Sequence, residues 1–313
     1  MGYIYDKTYF DDGIKSISDS KLSIASSAVL YGLSVYTVFP INIAEDGTRV
    51  AFRLHEHYKR LINSARIVGI DTFEKNWSEE RFLSVISELV NANDVKEDVF
   101  VRATVHVDEL IPGCKSRGLN TVLSMFIYKA SPILPTDGAR LKTSVWRRVP
   151  DNVIPPRAKV NGAYVNSVLA KQDAIDSGYD DCILLDNIGN VCELSAANIF
   201  IIRNGKLITP GTTSNILEGI NRNMVLMLAK DMGLDVIERS VNMTELYIAD
   251  EIFACGTSAY ISSVTEVDAR KIGNGETGVI TEKIREKYFD VLYGRNKKYS
   301  DLLTVVGDKM ITF

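Results

Sequence analysis

The sequence predicts an α+β protein in two domains: a small α/β domain over residues 1–129 and a larger, β-rich α/β domain over 138–313, joined by a linker at 130–137. Three observations lead there. Runs rich in β-branched and aromatic residues alternate along the chain with segments whose apolar residues recur at helical spacing. The length of 313 residues suffices for two domains of ordinary size, each with a core. Between two strand-like runs, Ser131-Pro132-Ile133-Leu134-Pro135-Thr136-Asp137-Gly138 places two prolines and a glycine, the best linker signal in the chain.

Taken in order, Tyr3-Ile4-Tyr5 and Thr8-Tyr9-Phe10 read as a hairpin that ends at Asp11-Asp12-Gly13. Residues 34–43 are rich in β-branched and aromatic residues, a strand. Residues 56–68 carry Leu61, Ile62, Ala65 and Val68 at the spacing of a half-buried helix. Ser78-Glu79-Glu80-Arg81 caps a helix that runs to about residue 91, its acidic residues in the first turn where the helix dipole favours them. Strands at 99–105 and 120–128 complete the small domain. Beyond the linker come a strand at 141–146, a helix at 162–177, and consecutive strands at 182–185, 198–202 and 206–209. Asp186-Asn187-Ile188-Gly189-Asn190 and Arg203-Asn204-Gly205 supply the turns between them, Asn-Gly being the strongest short hairpin signal. Helices at 221–232 and 281–293 follow.

A hydrophobic content of 46% with 24% charged residues is that of a soluble globular protein. A net charge of −4 argues against a nucleic-acid surface, and Lys297-Lys298 reads as a solvated tail. No segment approaches the roughly 18 apolar residues needed to cross a bilayer, and no apolar run follows a basic N-terminus. Cys114, Cys182, Cys192 and Cys255 are scattered and read as free thiols. Three histidines are too few for a convincing metal site, although His55 and His57 would share a face if they stood on a strand. The expectation is a cytoplasmic protein without metal, nucleic-acid or membrane partners.

Lys159 stands in Ile154-Pro155-Pro156-Arg157-Ala158-Lys159-Val160-Asn161-Gly162-Ala163-Tyr164, behind a stiff Pro-Pro corner and just before an apolar helix. Desolvation penalises an ammonium more than an amine, so a lysine shielded from water there becomes a nucleophile near neutral pH. Lysines beside helix starts are more often solvated surface residues, and the rest of the sequence has to decide. A second element is Thr212-Thr213-Ser214-Asn215 followed by Leu217-Glu218-Gly219-Ile220-Asn221-Arg222, a polar loop entering an apolar helix. The first N–H groups of a helix have no partner inside it and its dipole favours an anion. Gly219 lets the backbone approach closely. The ordinary alternative is a helix cap that holds no ligand.

With Cys192-Glu193-Leu194-Ser195-Ala196-Ala197-Asn198-Ile199-Phe200 and Ala254-Cys255-Gly256-Thr257-Ser258-Ala259, these stretches resemble, in order and spacing, the class IV aminotransferases. Those are the pyridoxal-phosphate enzymes of fold type IV, and among them the chain looks most like the branched-chain amino acid aminotransferases. The resemblance runs from about Tyr3 to about Gly294. It implies fold type IV, pyridoxal 5'-phosphate as cofactor, and at least a homodimer in which a small-domain loop of one subunit closes the partner's site. It also implies that Lys159 holds the cofactor's aldehyde carbon and acts as general acid/base. Glu193 faces the ring nitrogen, Tyr164 hydrogen-bonds the phenolic oxygen, and Leu217 lies under the ring. Toward the phosphate, Ile220 and Asn221 donate through their backbones beside Gly219, Thr257 donates through its hydroxyl, and Arg60, in His57-Tyr58-Lys59-Arg60-Leu61, is the counter-charge.

Substrate recognition is where the chain departs from that pattern. Branched-chain enzymes carry Tyr-Gly, then Phe-Glu-Gly, then an arginine, where this chain reads Tyr31-Gly32-Leu33-Ser34-Val35-Tyr36-Thr37-Val38-Phe39-Pro40. Tyr31, Gly32 and the aromatic at Tyr36 are kept; the glycine is Val38 and the arginine is Pro40. Val38 narrows the pocket, and Pro40 removes a charge and a backbone donor. The usual Tyr-x-Arg reads Phe100-Val101-Arg102, which keeps the charge of Arg102 and loses a hydroxyl. The Gly256-Thr257-Ser258 turn, which takes the substrate carboxylate in relatives, is intact. The resemblance thus implies a transaminase exchanging an amino group between L-branched-chain amino acids and 2-oxoglutarate. The alternatives on the same scaffold are an (R)-amine or D-amino acid transaminase and an aminodeoxychorismate-type lyase, and, outside enzymes, a cofactor-binding regulatory protein.

Overall fold

The computed structural model describes residues 3–307. The chain divides into two compact units. The first comprises the chain up to Ser131, Ala158–Gly162 and the chain from Val291 onward; the second comprises Pro132–Arg157 and Ala163–Asp290. The expected division assigned all of 138–313 to the second domain, whereas 158–162 and the chain from Val291 onward join the first.

In chain order the strands among the described residues are β1 (Lys7–Phe10), β2 (Gly13–Ser16), β3 (Ser34–Ile43), β4 (Arg49–Phe52), β5 (Val99–Val107), β6 (Thr121–Lys129), β7 (Ala139–Arg147), β8 (Asp181–Leu185), β9 (Val191–Leu194), β10 (Asn198–Arg203), β11 (Lys206–Thr209), β12 (Asp235–Glu238), β13 (Glu251–Gly256), β14 (Tyr260–Val267), β15 (Arg270–Lys271) and β16 (Leu303–Val305). The α-helices are α1 (Ser27–Tyr31), α2 (Leu54–Val68), α3 (Phe73–Asn76), α4 (Glu79–Ala92), α5 (Tyr164–Asp176), α6 (Ile220–Asp231) and α7 (Val279–Leu292).

The first unit is an antiparallel sheet of seven strands in the order β16-β4-β3-β5-β6-β1-β2. The hairpin expected between residues 3–5 and 8–10 lies one strand later: β1 pairs β2, with Lys7 opposite Ser16 and Phe10 opposite Gly13. The cause is Asp11, whose left-handed φ of 63° makes Asp11-Asp12 the turn rather than the end of a strand. β16 pairs β4, which is why the C-terminal segment belongs to this unit. One face of the sheet is fully buried: Val35, Thr37, Phe39 and Ile41 alternate along β3, and Val99, Val101, Ala103, Val105 and Val107 along β5. Leu54, His57 and Leu61 of α2 and Phe82, Ile86 and Leu89 of α4 are buried with them. Each such Leu or Phe contributes about 1.5–3 kcal/mol by leaving water. Ser78 caps α4 as the sequence predicts, its side chain accepting the Arg81 N–H at 3.2 Å.

The second unit is a mixed sheet of nine strands in the order β12-β11-β10-β13-β14-β7-β8-β9, with β15 on β14. β9 lies between two of the strands expected to be consecutive and was not anticipated. Three pairs are parallel, β7–β8, β11–β12 and β14–β7, and the first two each join through a single helical crossover: α5 connects β7 to β8, and α6 connects β11 to β12. Ala170 and Ala174 of α5 pack on Cys182 and Leu184 of β8. Phe200 and Phe253 stack at 5.0 Å between β10 and β13.

Glu251 of β13 serves the first turn of α7. Its Oε1 accepts the Ile280 N–H at 3.0 Å, and its Oε2 accepts the N–H and the hydroxyl of Thr281, both at 2.7 Å. A Cβ on Gly278 would run into that carboxylate. These donors have no acceptor within the helix, and the negative charge sits at the favourable end of its dipole. We predict that Glu251→Gln lowers stability by about 1–2 kcal/mol, read as a shift of the urea midpoint at unchanged slope. An unmoved midpoint would show that the carboxylate does not hold α7.

Candidate active site

In the first unit the site is built on β3. β4 pairs only with Ile41, Asn42 and Ile43 of β3, which leaves the backbone of residues 34–36 open on that edge. The lysine segment takes it. Tyr36 N–H donates to the Lys159 carbonyl at 3.0 Å, Asn161 N–H donates to the Ser34 carbonyl at 2.9 Å, and Val35 and Val160 form an antiparallel bridge. Alternate residues of a strand direct their N–H groups to the same edge, so the N–H that Pro40 lacks would face the edge used by Tyr36. Gly32 and Gly162 meet where the segment leaves: a Cβ on Gly32, which has φ +64°, would stand 3.0 Å from Gly162 Cα.

Side chains lock this arrangement. Lys159 N–H donates to Ser64 Oγ at 3.0 Å, and the Ser64 hydroxyl donates to the Arg60 carbonyl at 2.8 Å. Arg102 Nη2 donates to Asn161 Oδ1 at 2.6 Å, and Asn161 Nδ2 donates to Ser34 Oγ at 2.7 Å. The Lys159 amine lies 4.8 Å from the centre of the Tyr36 ring, and the Arg102 guanidinium carbon 3.7 Å from the same centre. Val38 pairs with Arg102 and Pro40 with Phe100, so Tyr36, Val38, Pro40, Phe100 and Arg102 share one face of the sheet. Phe100 is fully buried, its ring 5.6 Å from that of Tyr128. Tyr31 ends α1 and is 45% exposed. On the opposite face Arg60 Nη2 donates to Thr37 Oγ1 at 3.4 Å, and Thr37 Oγ1 lies 2.8 Å from His57 Nδ1. Burial, together with the cations Arg60, Lys159 and Arg53, holds the His57 imidazole well below its usual range, so the ring is neutral.

In the second unit the centre is Glu193, buried within β9. Arg148 pairs with its Oε1 at 2.8 Å; its Oε2 accepts Asn198 Nδ2 and the Leu217 N–H, both at 3.1 Å. Asn198 Nδ2 also donates to the Leu217 carbonyl at 3.0 Å, so Leu217 is held by both of its backbone groups. The loop is pinned further by Arg148 Nε on the Asn215 carbonyl and Arg157 Nη2 on the Thr212 carbonyl. A Cβ on Gly219 would strike the Asn198 amide. The loop then enters α6, whose first residues are Ile220 and Asn221. Asn221 Nδ2 donates to Thr257 Oγ1 at 3.1 Å, which ties that helix start to the Gly256-Thr257-Ser258 turn between β13 and β14. Tyr164 is the first residue of α5.

Lys159, Tyr36 and Arg102 are therefore brought together in one unit, and Glu193, Leu217, Gly219, Asn221 and Thr257 in the other. Sequence reasoning passed over the residues that hold them: Ser64, Asn161, Arg148 and Asn198. Asn198 lay in a quoted motif without a role, and nothing local to Arg148 marks it as the partner of a glutamate from another strand.

The family model described as amino-transferase class IV matches residues 34–267. The probable branched-chain-amino-acid aminotransferase of Aquifex aeolicus (strain VF5) is 40% identical over 308 residues, which cover 97% of this chain and 98% of that protein. The branched-chain aminotransferase of Thermoproteus uzoniensis, solved with norvaline, superposes with a TM-score of 0.90 at 33% identity, covering 96% of this chain and 99% of that one. The T.th. branched-chain amino acid aminotransferase, solved with N-(5'-phosphopyridoxyl)-L-glutamate, has a TM-score of 0.89 at 33% identity, covering 96% and 98%. Similarity that spans nearly the whole chain in sequence and in backbone places this protein in a known family: it belongs to the class IV aminotransferases, pyridoxal-phosphate enzymes of fold type IV.

Proposed function

We propose that this chain exchanges the amino group of L-branched-chain amino acids with 2-oxoglutarate, and that Lys159 and Glu193 carry the chemistry. The observation that carries the reading is the Glu193 carboxylate: buried, charge-matched by Arg148 and bonded to two N–H donors. That donor set fits pyridoxal phosphate, which needs a fixed carboxylate for its ring nitrogen. At the start of α6, helix N–H groups, the Asn221 amide and the Thr257 hydroxyl supply the kind of donors a phosphate takes. The relatives support the substrate class, since the Aquifex aeolicus protein carries the branched-chain name and the T.th. enzyme was solved with a phosphopyridoxyl glutamate.

When bound, pyridoxal phosphate supplies the electron sink that lets a Cα–H bond of an amino acid break. The chain's residues do the rest. Lys159 Nζ would hold the cofactor and would serve as the base that takes the Cα proton and the acid that returns it. Glu193 keeps a proton on the ring nitrogen, with Arg148 and Asn198 fixing its direction. Tyr164 serves the phenolic oxygen and Leu217 the underside of the ring. Arg60, Gly219, Ile220, Asn221 and Thr257 serve the phosphate. Arg102 and the Gly256-Thr257-Ser258 turn serve the substrate carboxylate, with Tyr31, Tyr36, Val38 and Phe100 around the side chain. We assign the active form as a homodimer. Val165, Val168 and Leu169 of α5 and Val145 and Trp146 of β7 are 41–73% exposed, an apolar surface that a second copy would cover. Three buried, unbridged cysteines fit a reducing cytoplasm, and among the described residues no helix is long and apolar enough to cross a membrane.

Three outcomes test this reading. Borohydride treatment of the holoenzyme is expected to fix the pyridoxyl group on Lys159; a peptide map that finds it on another lysine would overturn the assignment. Glu193→Gln is expected to retain cofactor and to slow each half-reaction by about 10²–10³-fold, about 2.7–4 kcal/mol, whereas a rate within threefold of the parent would remove Glu193 from the chemistry. For the pocket, Val38→Gly is expected to raise kcat/KM for L-leucine over L-alanine by about tenfold, the scale of discrimination of one or two methylene groups. A panel of L-leucine, L-valine, D-alanine and (R)-1-phenylethylamine, each with 2-oxoglutarate and with pyruvate, separates this reading from the (R)-amine and D-amino acid alternatives.

A further inference from the structure

On the buried face of β3, between Val35 and Phe39, stands one polar side chain, Thr37, fully buried like its neighbours. Its oxygen takes a hydrogen bond from Arg60 Nη2 at 3.4 Å and lies 2.8 Å from His57 Nδ1. A guanidinium only donates. Thr37 Oγ1 is therefore the acceptor toward Arg60, and the acceptor for its own proton among the described residues is His57 Nδ1. That assigns the imidazole: Nδ1 carries no proton and Nε2 does, the latter buried without a hydrogen-bond partner. The charged groups around the ring, Arg60, Lys159 and Arg53, are all cations and oppose any second proton. Ser64 fixes the Arg60 backbone through its carbonyl. The Thr37–His57 pair acts on the other end, the guanidinium.

We propose that Thr37 and His57 are positioning residues for cofactor binding: the neutral imidazole orients the Thr37 hydroxyl, whose lone pair holds one corner of the Arg60 guanidinium and so aims its remaining N–H groups at the phosphate. The proposal rests on assigning Arg60 to the phosphate. It gives a buried histidine a role that requires it to stay neutral, since an imidazolium would donate to Thr37 and leave the hydroxyl proton without an acceptor.

The test compares the affinity of the full chain for pyridoxal phosphate with that for pyridoxal, which lacks the phosphate, in the parent and in Thr37→Val, Thr37→Ser and Arg60→Gln. Valine keeps the shape of threonine in a buried strand and removes the hydroxyl. Thr37→Val is expected to weaken pyridoxal phosphate binding about tenfold, the scale of one hydrogen bond to a charged group, and to leave pyridoxal binding within twofold. Thr37→Ser is expected to restore the parent's preference. Equal losses for both ligands would show a packing defect and overturn the proposal, as would a Thr37→Val protein with an unchanged preference. If Arg60→Gln lowers the preference and Thr37→Val does not, the positioning role alone falls. If Arg60→Gln leaves the preference unchanged, the assignment of Arg60 to the phosphate falls first.

Discussion

The open edge of β3 is the constraint on which the first unit's share of the chemistry rests. A strand left half unpaired presents N–H and C=O groups that must find partners. Here they find the backbone of Lys159 and Asn161. The catalytic candidate is thus carried on a segment held by sheet-type hydrogen bonds, although it belongs to no regular element. Such placement is more precise than a free loop provides, and precision matters because an ångström of misplacement at a reacting atom costs orders of magnitude in rate. The short β4 and Pro40 keep the edge open; Gly32 and Gly162 let the chain leave it.

The second unit solves a different problem, that of keeping a carboxylate in a nearly dry place. A lone buried charge is costly, so Glu193 is surrounded by a matching cation and two N–H donors. The same bonds fix Leu217 and, through it, the approach to α6. One charged group therefore organises both its own strand and the loop that leads into α6, the two places to which we assign the ring nitrogen and the phosphate. Removing it would loosen more than one function.

Much of this was legible from residues alone. β3 is legible over its full extent because residues 34–43 are rich in β-branched and aromatic residues, α2 follows from its apolar period, and α4 from the Ser78 cap and the acidic residues of its first turn. Lys159, Glu193 and the loop before α6 stand out in the sequence through motif order, and the structure gives each of them a defined hydrogen-bonding environment. The losses have physical causes. β9 has four residues with a glutamate in the middle, which strand propensity counts against, and it is partners distant in sequence, Arg148 and Leu217 among them, that make that glutamate tolerable. The first hairpin slipped because an aspartate took a left-handed turn conformation that sequence does not announce. The holding residues, Ser64, Asn161, Asn198 and Arg148, act through pairings between distant parts of the chain, which no local pattern encodes.

The backbone passes from one unit to the other after Ser131, after Arg157, after Gly162 and after Asp290. Neither unit is a continuous stretch of chain, and a gene fragment cut at the linker would encode neither. The order of synthesis sharpens the point. β1 to β6 of the first unit come early in the chain, yet its lysine segment arrives only after residue 157 and the strand that covers the β4 edge only at Leu303–Val305. Until then the nascent chain carries a sheet with one outer edge bare, the kind of edge that invites pairing with a neighbouring chain. Of the described strands, β16, the last in chain order, thus completes the sheet that begins with β1.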